Sequence, residues 1–227
     1  MPAADKSIDT RLMKCARKEF LEKGFEKASL RRICREASVT TGALYKRFKG
    51  KEELFSALVE GTSEFLFACM KGKESLSRQP QSEEFLVKCW DMSRESMLDW
   101  FGVIMEHRES FVMLLRCSSG TKYEHFEHEL ATSMTESNYR FYEQAYRMGV
   151  TKKKITKKDM HILDSAYWRT ICEPFIHDYT RKEIVSLTEH ICSFMNYYSL
   201  LGIDGELIRK YEKKESPGYR AALKEES

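Results

Sequence analysis

The chain has 227 residues, of which 42% are hydrophobic and 32% charged, with a formal net charge of +3. That is length enough for one or two domains around a sizeable core, and too apolar a composition for a disordered chain. No apolar run approaches the roughly 20 residues that span a bilayer, and the N-terminus "MPAADKSIDTRL" carries no apolar stretch or cleavage pattern. No membrane association and no secretion signal are expected, and a cytoplasmic protein is.

The seven cysteines are scattered, odd in number and without a CxxC pair, which argues against a disulfide framework and for reduced thiols. Charge is unevenly spread. Residues 1–51 hold 14 Lys and Arg against six Asp and Glu, a balance of +8, whereas the remainder carries −5. A basic head on a mildly acidic body suggests that one end meets a polyanion.

In chain order every predicted element is helical. Ile8, Leu12, Cys15, Ala16 and Phe20 share one face over Ser7–Lys23, and Gly24 reads as the residue that ends that helix. Ser29 is placed to cap a short second helix to Glu36, and a turn over "ASVT" leads to a third helix from Thr41 to Phe48. A fourth starts near Lys51 and runs past Phe67, before a polar connection over 72–82. Glu83–Glu106 and His107–Cys117 read as two helices rich in Trp, Met and Phe. After "SSGT" a long helix reaches Met148 and stops at Gly149. Thr156-x-x-Asp159 and Thr180-x-x-Glu183 look like capping boxes opening two last long helices, over 157–178 and 181–201. A charged tail with a Pro217-Gly218 turn follows from Asp204, and is expected to be frayed. The prediction is an all-α chain of about nine helices: an N-terminal three-helix, homeodomain-like helix-turn-helix domain over 1–51, a helical body over 52–203, and the tail over 204–227.

The informative stretch is "TTGALYKRFKGKEELF", from Thr40 to Phe55. Two short helices joined by a tight turn describe a helix-turn-helix, whose second helix enters the major groove. That groove is roughly 12 Å wide and admits one helix, so small groups must face the base edges. Thr40, Thr41, Gly42 and Ala43 supply them. Thr hydroxyls can donate or accept at base edges, and an alanine methyl can meet a thymine methyl. Glycine costs a helix about 1 kcal/mol against alanine, so Gly42 calls for a reason, and close approach to DNA gives one. Tyr45, Lys46 and Arg47 follow one turn later. Lys51 adds a charge at the N-terminus of the fourth helix, and Arg31 and Arg32 lie near the start of the second.

"SLRRICREASVTTGALYKRFKGKEELF" resembles the DNA-binding signature of the TetR/AcrR family of bacterial transcriptional regulators. That pattern runs roughly Thr-(x)-Arg/Asp-x-Ile-Ala, a Gly-Val turn, Gly-x-Leu-Tyr-x-x-Phe and Lys-x-x-Leu. The resemblance covers about residues 10–58. It implies DNA contacts at Ser29, Arg31, Thr40, Thr41, Ala43, Tyr45, Arg47 and Lys51, with Lys46 and Arg32 as further candidates, and buried positions at Leu44 and Phe48. Two departures stand out. Ser38 occupies the place of the turn glycine, and Arg47 replaces a common Tyr or His, adding charge for the backbone.

The resemblance further implies a homodimer through the last two long helices and an effector site among the middle ones. The broad apolar stripe from Ile184 to Leu201 supports the first independently. For the second, Met and aromatic residues make an adaptable apolar wall: Trp90, Met97, Trp100, Phe101, Met105, Phe111, Tyr139, Tyr142 and Trp168 are candidates. A ligand-responsive repressor of a near-palindromic operator is the expected function, with double-stranded DNA and an unknown small molecule as partners. An activator, or a helical adaptor without sequence-selective DNA binding, is the alternative. No enzyme motif, cofactor site or metal site is expected; His125, His128 and Glu129 have ligand spacing, yet the sequence offers no third protein ligand nearby.

Overall fold

The computed structural model describes residues 6–212. Its regular elements are α1 (Lys6–Lys27), α2 (Leu30–Glu36), α3 (Thr41–Tyr45), α4 (Lys51–Ser77), α5 (Glu83–Lys88), α6 (Arg94–Glu106), α7 (Arg108–Arg116), α8 (Phe126–Arg147), α9 (Lys157–Ile176), α10 (Arg181–Phe194), α11 (Tyr197–Leu201) and α12 (Gly205–Glu212). Among the described residues no strand forms, and one antiparallel bridge joins Thr151 to Ile203. None of these helices is long and apolar enough to cross a membrane.

The all-α expectation holds, but the twelve described helices exceed the expected nine because side chains break two of the expected long ones and a further helix forms in the expected tail. Over 83–106 the Asp91 carboxylate accepts from Ser93 N–H (3.0 Å), Ser93 Oγ (2.7 Å) and Ser96 Oγ (3.1 Å), and Ser93 Oγ in turn accepts from Ser96 N–H (3.3 Å). This local network competes with the helix and restarts it at Arg94. Over 181–201 Met195 leaves helical geometry (φ −102°, ψ 69°), and Asn196 caps α11 by accepting from Ser199 N–H at 2.9 Å. Elsewhere helix extends further than expected. α4 continues through Gly72 to Ser77, which is buried, so the connection shrinks to a few residues before α5. Residues 205–212, expected in the charged tail, form α12 instead. Tyr211 is buried and donates its hydroxyl to Glu83 at 2.7 Å. The Pro217-Gly218 turn lies outside the described residues.

The chain divides into two compact units. The first comprises residues up to Phe65 together with His107–Phe126, so it takes in α7 beside the helix-turn-helix. Leu12, Ala16 and Phe20 of α1 are fully buried, as the helical spacing predicts. Phe20 meets Phe55 edge-on, and Phe25 contacts both rings. Gly24 does not end α1 by a left-handed cap. Its φ of 71° and ψ of 169° put a kink in the helix, and Phe25 N–H is released to the Cys117 carbonyl at 2.9 Å.

The second unit comprises Leu66–Glu106 and the chain from Glu127 on. Leu86, Val87, Trp90, Phe141, Tyr142, Met160, Tyr197 and Leu201 form the heart of its core. Both expected capping boxes are present at Thr156 and Thr180, and Gly149 (φ 76°) closes α8.

The Gly24 backbone lies in a region essentially closed to other residues, although an added Cβ there would meet nothing within 4 Å. Gly24→Ala should therefore cost about 1–3 kcal/mol from backbone strain alone, measured as a drop in stability by urea unfolding.

Candidate nucleic-acid interface

The second helix of the motif has only five residues, so its position is set by its surroundings. Ser29 Oγ accepts from Arg32 N–H at 3.4 Å and starts α2. α2 ends in a Schellman arrangement: Val39 N–H donates to the Cys34 carbonyl at 3.0 Å and Ser38 N–H to the Arg35 carbonyl at 3.2 Å. Ser38 takes the left-handed conformation, with φ 55°. The turn thus keeps a glycine-type backbone without the glycine. Thr40 Oγ1 then caps α3 by accepting from Ala43 N–H at 3.1 Å.

Leu44 is fully buried on the inner side of α3 and Phe48 is half-buried. Thr40, Thr41, Gly42, Tyr45 and Lys46 are exposed on the outer side, Tyr45 at 58%, and Ala43 is half-buried between them. Gly42 presents open backbone: a Cβ there would meet only Thr40 Oγ1, at 3.9 Å.

The cations split into two groups. Arg31 and Lys46 are exposed. Arg32 faces three carboxylates, Glu36 (3.0 Å), Glu19 (3.2 Å) and Glu22 (3.4 Å). Hydrogen bonding to Glu36 and the charge of Glu19 raise its pKa, and the same hydrogen bond lowers that of Glu36. Arg47 pairs with Asp9 of α1 and donates to the Ala43 carbonyl at 3.1 Å. Lys51 donates to the carbonyls of Glu26 (2.9 Å) and Ala28 (3.3 Å) and lies over the Phe25 ring. At the start of α4, Glu53 accepts from Lys49 N–H at 2.6 Å. The partners Asp9, Glu19 and Glu53 are not signalled by the helix-turn-helix motif. Only the Lys49–Glu53 spacing offered a local signal for any of them.

The family model for bacterial regulatory proteins of the tetR family matches residues 12–58. The HTH-type transcriptional regulator UidR of Escherichia coli (strain K12) is 40% identical over 50 residues, 22% of this chain and 26% of UidR. Residues 12–58 thus form a helix-turn-helix domain of the TetR type.

The sequence match spans about a quarter of the length of these curated relatives. In structure, the chain resembles the MbdR regulator from Azoarcus sp. CIB, with a TM-score of 0.56 and 17% identity over 83% of this chain and 97% of that one. FadR from Bacillus subtilis, solved in complex with stearoyl-CoA, gives 0.51 and 13% over the same shares. At such identities the likeness establishes the fold.

Of the residues expected at an effector wall, Trp90, Met97, Phe101, Tyr142 and Trp168 are buried in the second unit, and Trp100, Met105 and Tyr139 are half-buried there. Phe111 belongs to the first unit, its ring 6.4 Å from that of Phe126. Trp90 stacks on Tyr197 with ring centroids 6.0 Å apart, Tyr139 lies 5.7 Å from Tyr142, and Phe101 lies 6.2 Å from Phe175. Met105 lines a cleft of about 290 Å³ with Leu98, Asp99, Gly102, Glu106 and Arg181. Tyr142 is committed to structure, its hydroxyl donating to the Lys153 carbonyl (2.9 Å) and accepting from Ile155 N–H (2.8 Å).

Among the described residues no group of three or more His, Cys, Asp or Glu is placed to hold a metal ion. His125 lies just before α8 rather than in it, and His128 instead meets His161, ring to ring at 5.6 Å. All seven cysteines are free, and burial pushes the Cys89 thiol up to about 12.

Because Ser38 is left-handed, its replacements should rank by backbone tolerance. Ser38→Gly is expected to be neutral or stabilising by up to about 1 kcal/mol, and Ser38→Val to cost about 1–2 kcal/mol. Thermal unfolding of both variants checks the order.

Proposed function

We propose that the protein is a DNA-binding transcriptional regulator that inserts α3 into the major groove of a near-palindromic operator, acting as a homodimer and released by a small-molecule effector. The observation that carries this reading is the outer face of α3. It places small groups over its N-terminal turn and an exposed tyrosine and lysine one turn later, while Leu44 alone is fully buried behind them. A helix placed only for packing has no use for open glycine backbone at that position. Residues 1–51 would read DNA, with Thr40, Thr41, Gly42, Ala43, Tyr45 and Lys46 at the groove, and Ser29 and Arg31 at the flanking phosphates. Arg32, Arg47 and Lys51 would act chiefly by holding the reading helix in place. Residues 52–203 would bind effector and partner. FadR, which shares the fold, holds stearoyl-CoA, and this supports a small-molecule site here.

Homodimerisation through α9 and α10 is supported by what their apolar stripe leaves outside. Ile171, Phe175, Ile184 and Ile191 are buried, whereas Ile162 is 68% and Phe194 78% exposed. An effector weakens operator binding only as far as it favours the arrangement that fits DNA less well. Whether the regulator represses or activates depends on where the operator lies.

The test uses DNA from upstream of the protein's own coding region in a gel shift with excess nonspecific competitor. Gly42→Leu is the decisive variant. It removes no internal contact and favours helix by up to about 1 kcal/mol, so its fold should persist while specific binding falls at least about tenfold. Unchanged binding by Gly42→Leu would remove α3 from the groove, and loss of every shift to competitor in the wild type would favour the adaptor reading. Lys46→Ala should weaken binding evenly across sequences and reduce the slope of log affinity against log salt by about 1 per protomer.

Phe194→Glu is expected to turn dimer into monomer in sedimentation velocity, because a side chain whose burial is worth about 1.5–3 kcal/mol is replaced by a charge on both sides of a two-fold contact.

A further inference from the structure

Inside the second unit two opposite charges approach without pairing. Asp164 of α9 is fully buried. Its Oδ1 accepts from Asn138 Nδ2 at 2.8 Å and from the Tyr197 hydroxyl at 3.1 Å, and its Oδ2 has no hydrogen-bond partner. The Thr135 hydroxyl beside it donates to the Ala131 carbonyl at 2.9 Å, lies 3.3 Å from His161 Nδ1, and is close enough to Asp164 to favour its ionised form. Lys73 of α4 is half-buried and close enough to Asp164 to act on it electrostatically, yet it forms no hydrogen bond or ion pair with any described residue. Burial pushes the Asp164 pKa up and the Lys73 pKa down. Trp90 brings a third group: its ring stacks on Tyr197, and its buried Nε1–H has no acceptor.

Unpaired buried charges and donors are costly, and a pair kept for stability closes to contact. Part-exposed pairs elsewhere in this unit do so, with Arg140 at 3.3 Å from Glu74 and Arg169 at 3.0 Å from Glu127. Lys73 and Asp164 stay apart, leaving a cation, an acceptor oxygen and an indole N–H beside stacked aromatic rings. An anionic group would satisfy Lys73 and Trp90 Nε1–H, and a donor a bond or two away would satisfy Asp164 Oδ2. Aromatic neighbours favour a ring on the same molecule.

We propose that Lys73, Trp90 and Asp164 are the polar contacts of the effector site, and that its ligands are small ring-bearing carboxylates with a hydroxyl or amino donor on the adjacent carbon. This rests on the reading of the second unit as the effector-binding part.

Calorimetric titration of the full-length protein, without DNA, tests it with four probes: mandelate, phenylglycine, phenylacetate (which lacks the donor) and 1-phenylethane-1,2-diol (which lacks the charge). Mandelate or phenylglycine should bind, and the two truncated probes at least about tenfold more weakly. Lys73→Met should erase the preference for mandelate over the diol, and Asp164→Asn the preference for mandelate over phenylacetate. If Asp164→Asn does not fold, Lys73→Met carries the test, because Lys73 has no bond to lose. No binding by any probe, or the same selectivity in both variants, would overturn the assignment. A gel shift on the same preparation separates the two readings. Protein that shifts DNA but ignores all four probes loses only this site, whereas selective probe binding without a DNA shift keeps the site and sinks the regulator.

Discussion

A helix of five residues cannot hold itself together in water, because the first turn fixes several dihedrals for a single hydrogen bond. Everything about the helix-turn-helix end of this chain follows from supplying that missing stability to α3 from outside. Leu44 anchors it by burial, Thr40 satisfies its first amides, and the left-handed Ser38 sets the angle at which it leaves α2. Arg47 ties its end to Asp9 in α1, 38 residues away. These contacts all come from the inner side or the ends. The outer side is left with nothing to do for the fold, and that is why it can be given over to groups chosen for a partner.

The same division governs the charges. A balance of +8 over residues 1–51 suggests a field of free cations, but bracing consumes part of it. Arg32, surrounded by three carboxylates, contributes little to the potential outside. Lys51 differs, since its partners are carbonyl oxygens, which fix the ammonium without cancelling its charge. A phosphate near the start of α4 would still feel Lys51 while competing with the Glu53 carboxylate. Counting basic residues therefore overstates the free charge, and what each cation already touches decides how much of it is left over.

Much of this was legible beforehand where the cause is local. The caps at Ser29, Thr156 and Thr180 and the stop at Gly149 depend on residues within four positions of one another, and all appear where their spacing places them. Leu12, Ala16, Phe20 and Leu44 were readable from helical period alone. What failed had causes that spacing does not reveal. The break at 89–93 is made by one carboxylate gathering two serines, and the extension of α4 by the burial of Ser77. α12 exists because Tyr211 and Lys210 find Glu83 across 127 or more residues, which no window on a charged segment discloses. At the interface, the side chains facing outward were found from the motif, and the partners of Arg32, Arg47 and Lys51 were not.

Each unit also buries a carboxylate, and the two differ in whether a cation closes on it. In the first, Glu19 is buried but answered by Arg32 at 3.2 Å and by Ser29 N–H at 3.1 Å, so the charge helps to fix a single arrangement of α1 against α2. In the second, Asp164 has one oxygen answered twice and the other unanswered, with a lysine nearby that does not close on it. A buried carboxylate with a guanidinium closed on it favours one arrangement of the helices around it. A domain that must change its preference when a small molecule arrives needs groups whose best partners are not yet in place, because only differential binding can move an equilibrium. On the assignment proposed above, the Lys73–Asp164 gap lies beside Trp90 and Tyr197 of the packed core, where a ligand that completed the set would favour one arrangement over another.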